Sequence, residues 1–379
     1  MELNYINFIK DGEFNISNEY WNALNTTYTK DQIKLEMLKA IRIYNIPLPF
    51  SKPTVDQVIK DFNNLIVEDS VKIENYEYWH TRYDYKWPLE YEDINNFIYL
   101  NGSNAGLQAS NYYHMDNRLA CDSINSPSPI RVWNNDKFML TLMNYFWSGL
   151  ITGSITMSTF KQAIGMRKYI ASQFKPSVAK YIYNRYAPNG VVLDFSSGWG
   201  DRLTGFYASS AKEYIGIDPN KNLIAGYNDQ ITMYNSICKD KSAKMLPWCA
   251  EDVTLGEKVD LIFTSCPYFN IERYTQDADQ SFKKFKKLDD WLAGFLFESI
   301  RCFWVNLKEG GHMIINISDV YSNHTINHIC DPMNDYINTL KGSEYQGALG
   351  LRMAKRPNTN ADKEGIFAEP MWVWKKGSI

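Results

Sequence analysis

The chain has 379 residues and a formal charge of -3, so it carries no global basic field of the kind many nucleic-acid binders use. Its six cysteines (Cys121, Cys238, Cys249, Cys266, Cys302 and Cys330) are scattered without a CxxC pair, which argues against a zinc ribbon or disulfide framework and for a reducing, intracellular setting. Met1 to Lys30 is polar and aromatic rather than leader-like, and no apolar run is long enough to span a bilayer.

The N-terminal part reads as mainly helical and loop-rich. Asp31 to Ile41 places apolar residues at helical spacing until Pro47 and Pro49, and Thr54 is an N-cap for a helix over Val55–Phe62. From Glu74 to Asn135 aromatic residues such as Trp79, Tyr85, Trp87, Tyr112 and Tyr113 mix with turn residues. This pattern fits the core of a loop-rich subdomain, with a base-stacking surface as the sharper alternative. Ser126-Pro127-Ser128-Pro129 marks a turn or linker, and helices are expected over Asp136–Leu150, Thr156–Phe174 and Pro176–Tyr183. A boundary near residue 155 separates an N-terminal region, 1–155, from a second domain, 156–379.

Beyond Val191 the period changes. Short apolar runs at Val191–Leu193, Tyr214–Ile217, Val259–Phe263, His312–Ile317 and Met371–Trp374 alternate with helical segments. That alternation predicts an α/β fold with a mostly parallel sheet covered on both faces. Ligands in such sheets lie beyond the carboxyl ends of the strands. The first run leads into Asp194-Phe195-Ser196-Ser197-Gly198-Trp199-Gly200, a glycine turn opening a helix. The second ends at Asp218, placed to accept from ribose hydroxyls. A pyrophosphate would be repelled by Asp194, so a cationic ligand is expected. Glu251 or Asp252, after a further expected strand, is a candidate partner for an adenine amine. The fourth station is the turn Ser265-Cys266-Pro267-Tyr268-Phe269. A hydroxyl and a turn carbonyl can accept from an NH2 group while an aromatic ring stacks on its base.

Together these residues resemble class I S-adenosylmethionine-dependent methyltransferases of the amino-methylating DNA group. That group carries an acid-x-x-x-Gly-x-Gly loop and an Asp/Asn/Ser-Pro-Pro-aromatic turn. The stretches Phe174–Leu203, Tyr214–Pro219, Phe263–Tyr274 and Glu369–Trp374 are similar to DNA methyltransferases encoded by phages and other viruses. The resemblance implies a Rossmann-like sheet and S-adenosylmethionine held by Asp194, Ser196, Gly198, Gly200 and Asp218. It also implies methyl transfer to an exocyclic amine of DNA, adenine N6 by family frequency, as in restriction-modification systems. It departs from the pattern in having Cys266-Pro267 where the family has Pro-Pro, and Ser265 where Asp or Asn is common. Two alternatives follow: pyrimidine C5 chemistry through a Cys266 thiolate, and a weakly active fold that binds nucleic acid or cofactor.

Lys283, Lys284, Lys286 and Lys287, and Arg352, Lys355 and Arg356, are candidate DNA-backbone contacts or else solvated loops. His324, His328, Cys330 and Asp331 superficially resemble a metal site but read as a polar helix start, so no metal is expected.

Overall fold

The computed structural model describes residues 2–67, 71–76, 79–91, 97–322, 324–353 and 367–378. The chain divides into two compact units. The first comprises Met1–Lys52 and Asp116–Ala171, and the second Pro53–Met115 and Ser172–Ile379. This corrects the boundary expected near residue 155. Residues 53–115 belong with the sheet because two of its strands lie there, and residues 156–171 belong with the N-terminal helices.

The first unit has its own core, in which Phe14, Met37, Ile41, Phe146 and Phe160 meet. The helix Lys30–Ile43 starts at a reciprocal cap between Thr29 and Gln32, as its sequence period requires. Asp136–Leu142 passes into a tight 3-10 turn over Met143–Trp147 and stops, and Met157–Arg167 ends well before Phe174. Both are shorter than expected; Gly149, at φ 76°, follows the first of them.

The second unit is built on nine strands: β1 (Val71–Tyr76), β2 (Phe97–Gly102), β3 (Val191–Asp194), β4 (Glu213–Ile217), β5 (Ser242–Leu246), β6 (Val259–Ser265), β7 (Leu307–Asn316), β8 (Ser343–Arg352) and β9 (Ala368–Lys376). Their order is β1-β2-β8-β9-β7-β6-β3-β4-β5. Strands β2 to β8 run in one direction, and β1 and β9 oppose them. Strands β3 to β9 form the Rossmann-like sheet of class I methyltransferases, with β9 inserted antiparallel between β7 and β8. The β1–β2 hairpin extends it.

Strand alternation covers the sheet on both faces. Ile215 and Ile217 pack with Ile300 and Phe303 in one core, while Tyr214, one residue before them in the strand, packs its ring on Phe206. No helix among the described residues is long and apolar enough to cross a membrane.

Because β9 is antiparallel, its first residues lie beside the carboxyl ends of its neighbours. Met371 pairs with Asn316, and Asn316 with Ser265. An acid at the start of β9 therefore reaches the edge where ligands of such sheets bind.

Candidate active site

The loop after β3 is held by a buried ion pair. The Asp194 carboxylate is wholly buried and accepts from Arg202 Nε at 2.7 Å and Nη2 at 3.2 Å. It also accepts from the Tyr214 hydroxyl at 2.7 Å and the Ser196 N–H at 3.3 Å. Arg202 comes from the first turn of α1 (Asp201–Tyr207). The expectation that Asp194 offers free negative charge to a ligand is therefore corrected. Its charge is met inside the chain, and it does not line the cleft that opens at these strand ends. It shapes the loop.

Gly198 and Gly200 both adopt left-handed backbone, at φ 61° and 76°. Gly198 faces the cleft, and a side-chain carbon there would meet nothing closer than 3.9 Å. At Gly200 such a carbon would lie 2.3 Å from Gln230 Oε1. Gln230 Nε2 donates to the Gly200 carbonyl at 2.9 Å, so this glycine serves a close approach behind the loop and does not line the cleft.

The end of β4 is different. Asp218 lines the cleft, and its two oxygens accept one backbone N–H each, from Gly198 and Asn220, both at 2.9 Å. Among the described residues it forms no ion pair. Burial pushes its carboxyl up to about 6, against the opposing pull of the two N–H groups. A carboxylate offers about four lone-pair positions, so acceptor capacity remains after those two bonds. Pro219, Leu223, Ala250, Phe282 and Phe295 add apolar surface nearby. Glu251 also lines the cleft but lies 2.6 Å from Lys284 Nζ. Asp252 turns outward, bridges the same lysine at 2.9 Å, and does not line it.

The fourth station is the turn after β6. Ser265, Cys266, Pro267 and Tyr268 line the same cleft, which has an open volume of about 200 Å³. Phe269, at φ 50°, instead enters the core against Trp291 at a ring distance of 5.8 Å. That removes it as a stacking candidate. The turn closes through the Phe269 N–H on the Pro267 carbonyl, at 3.0 Å. Ser265 Oγ donates to Asn316 Oδ1 at 3.2 Å, and the Tyr268 hydroxyl donates to Glu369 Oε1 at 2.6 Å. Burial pushes the Cys266 thiol well up, which disfavours the thiolate a covalent route needs.

Sequence reasoning missed Asn316, Glu369, Glu272, Tyr274 and Lys175, all of which line the cleft. The strand-end rule applied to the run at His312–Ile317 points to Asn316. Finding Glu369 requires knowing that β9 is antiparallel.

Of the basic candidates, Lys284 is committed to Glu251 and Asp252, and Lys283 donates to Gln276 at 2.9 Å. Lys286 and Lys287 are exposed. Arg352 lines the cleft beside Lys175, whose ammonium is held below its ordinary range by burial and by that guanidinium. Lys355 and Arg356 lie outside the described residues. Around His328, Asp319 caps the helix Cys330–Asn338: it accepts the N–H groups of Ile329 and Cys330 and lies 2.9 Å from His328 Nδ1. Cys330 is buried, with its thiol on the Ile317 carbonyl at 3.4 Å.

No family model matches the chain, and no curated protein matches it. Solved structures similar to it include a SAM-dependent O-methyltransferase from Thermotoga maritima, 12% identical over 60% of this chain and 74% of that one, with a TM-score of 0.35. TrmN from Thermus thermophilus is 11% identical over 64% of this chain and 67% of its own, with a TM-score of 0.37. An S-adenosylmethionine-dependent methyltransferase from Clostridium acetobutylicum is 11% identical over 58% and 97%, with a TM-score of 0.35. Strand order and register define the fold as class I methyltransferase-like, and what the site holds is read from its own geometry.

Proposed function

We propose that this chain transfers a methyl group from S-adenosylmethionine to an exocyclic amine of a nucleic-acid base, adenine N6 in DNA being the favoured acceptor. The observation that carries the reading is one cleft shared by Asp218 and the Ser265–Tyr268 turn, which end β4 and β6. The residues present fit this cofactor. Asp218 retains acceptor capacity for a ribose diol, Gly198 leaves room beside the loop backbone, and Phe282, Phe295 and Ala250 supply apolar surface for an adenine. Bound there, the cofactor supplies an electrophilic methyl group on a sulfonium. In the transfer the amine nitrogen would form the new C–N bond as the C–S bond breaks, S-adenosylhomocysteine would leave as the neutral thioether, and the amine proton would pass to solvent water.

The chain's own part is alignment. Ser265 Oγ and the turn carbonyl accept from the two amine protons, which exposes the nitrogen lone pair, and the Tyr268 ring packs on the base. A duplex target must leave the stack to reach this turn. Lys175 and Arg352 place positive charge at the cleft, suited to a backbone phosphate. C5 chemistry is disfavoured by the buried, poorly ionised Cys266 thiol.

The test incubates purified protein and methyl-tritiated S-adenosylmethionine with single-stranded DNA, duplex DNA and RNA, and identifies the product nucleoside. The reading expects N6-methyladenine in DNA. Binding of the cofactor without label on any acceptor would replace it with a binding role. C5-methylcytosine would restore the covalent route.

A further inference from the structure

The amine-holding turn has a weak acceptor at its centre. A serine hydroxyl carries no charge, whereas an amine that becomes cationic during transfer is best met by a carboxylate. The structure places a carboxylate two hydrogen bonds away, on a different strand. Asn316 Nδ2 donates to Glu369 Oε2 at 3.4 Å and to the Pro370 carbonyl at 3.3 Å. With both acceptors on that side, the amide must present Oδ1 to Ser265, which donates to it at 3.2 Å. The Ser265 proton is thereby turned away from the amine site, leaving the oxygen lone pairs to accept. The second Glu369 oxygen takes the Tyr268 hydroxyl at 2.6 Å. One carboxylate thus fixes both functional side chains of the turn.

Resting on the methyl-transfer reading above, we infer that Glu369 is a positioning residue for that reaction, orienting and polarising Ser265 through Asn316 and anchoring Tyr268. In this way β9 supplies the negative charge that a serine turn lacks. The groups facing Glu369 agree with this. Tyr268 and Asn316 donate to it, Glu272 is the other acid within electrostatic reach, and among the described residues no lysine or arginine pairs with it. Burial holds its carboxyl above the ordinary range, with Glu272 adding to the effect.

The test compares wild type, Glu369→Gln, Ser265→Asp and the double variant Glu369→Gln/Ser265→Asp. Methyl-tritium transfer to DNA gives kcat and KM, and titration gives cofactor affinity. Glu369→Gln keeps the side-chain shape and should lower kcat roughly 10- to 100-fold, the usual cost of losing a supporting partner. Cofactor affinity and Tm should stay near wild type. In the double variant, a carboxylate at position 265 should recover most of the lost kcat. Wild-type kcat in Glu369→Gln, an equal loss of cofactor affinity, or no recovery in the double variant would each overturn the inference and leave the methyl-transfer reading standing. A wild-type protein that labels no acceptor would overturn both.

Discussion

Asp194 and Asp218 end neighbouring parallel strands, yet the chain uses them in opposite ways. Asp194 is sealed under Arg202 and Tyr214, every visible bond directed inward. Asp218 takes two backbone N–H groups, forms no ion pair among the described residues, and faces the cleft. A fully buried carboxylate is tolerated when it is paired and hydrogen-bonded, and such a pair fixes geometry more than it adds stability. An acid left without a counter-charge at a cleft is costly to hold ionised, as its raised pKa records. Similar sequence context thus hides a structural acid beside a cleft-facing one.

The contrast breaks first at Arg202. Arg202→Met leaves a buried charge without its partner and should destabilise the fold by about 3–5 kcal/mol, read from denaturant unfolding. Adding Asp194→Asn should recover much of that loss; an unchanged midpoint in the single variant would show that the pair holds nothing. Gly200→Ala comes next, at about 2 kcal/mol, because it combines left-handed backbone with a carbon 2.3 Å from Gln230. Asp218→Asn removes a charge that burial disfavours but leaves one of the two backbone N–H groups, Gly198 or Asn220, without its acceptor, and should cost about 1–2 kcal/mol of stability. Its cofactor affinity should fall roughly 10- to 100-fold, the worth of one or two charge-assisted hydrogen bonds. In the wild type, affinity should drop as pH falls through about 6, because a protonated Asp218 loses acceptor capacity. The smallest effect belongs to Lys175→Gln and Arg352→Gln, each flattening the salt dependence of DNA affinity by about one phosphate contact. Equal slopes before and after would remove both residues from the backbone interface.

Four of the parallel strands were legible because a strand buried on both faces is a short apolar run, and the fifth such run, Met371–Trp374, lies in β9, whose antiparallel direction its composition does not show. The strand-end rule then reached Asp218, Ser265 and Tyr268 directly. The β1–β2 hairpin was not legible, since Val71–Tyr76 interleaves Lys72, Glu74 and Asn75 with its apolar residues and sits at an edge. Asp194 looked like a ligand contact because Arg202 lies eight residues on in the same motif, and spacing alone does not show a helix folding that guanidinium back. Phe269 was misplaced because its inward course depends on a single positive φ. Glu369 stands about 100 residues beyond the turn it supports, and only the antiparallel insertion of β9 brings the two together.

The central claim is that the cleft binds a sulfonium donor through the acid at the end of β4. Its most direct measurement is calorimetric titration of S-adenosylmethionine into wild type and Asp218→Asn across a pH series. The account predicts one site per chain, affinity that weakens as pH falls through about 6, and a weaker, pH-flat affinity in the variant. Absence of binding, or the same affinity and pH profile in both proteins, would contradict it.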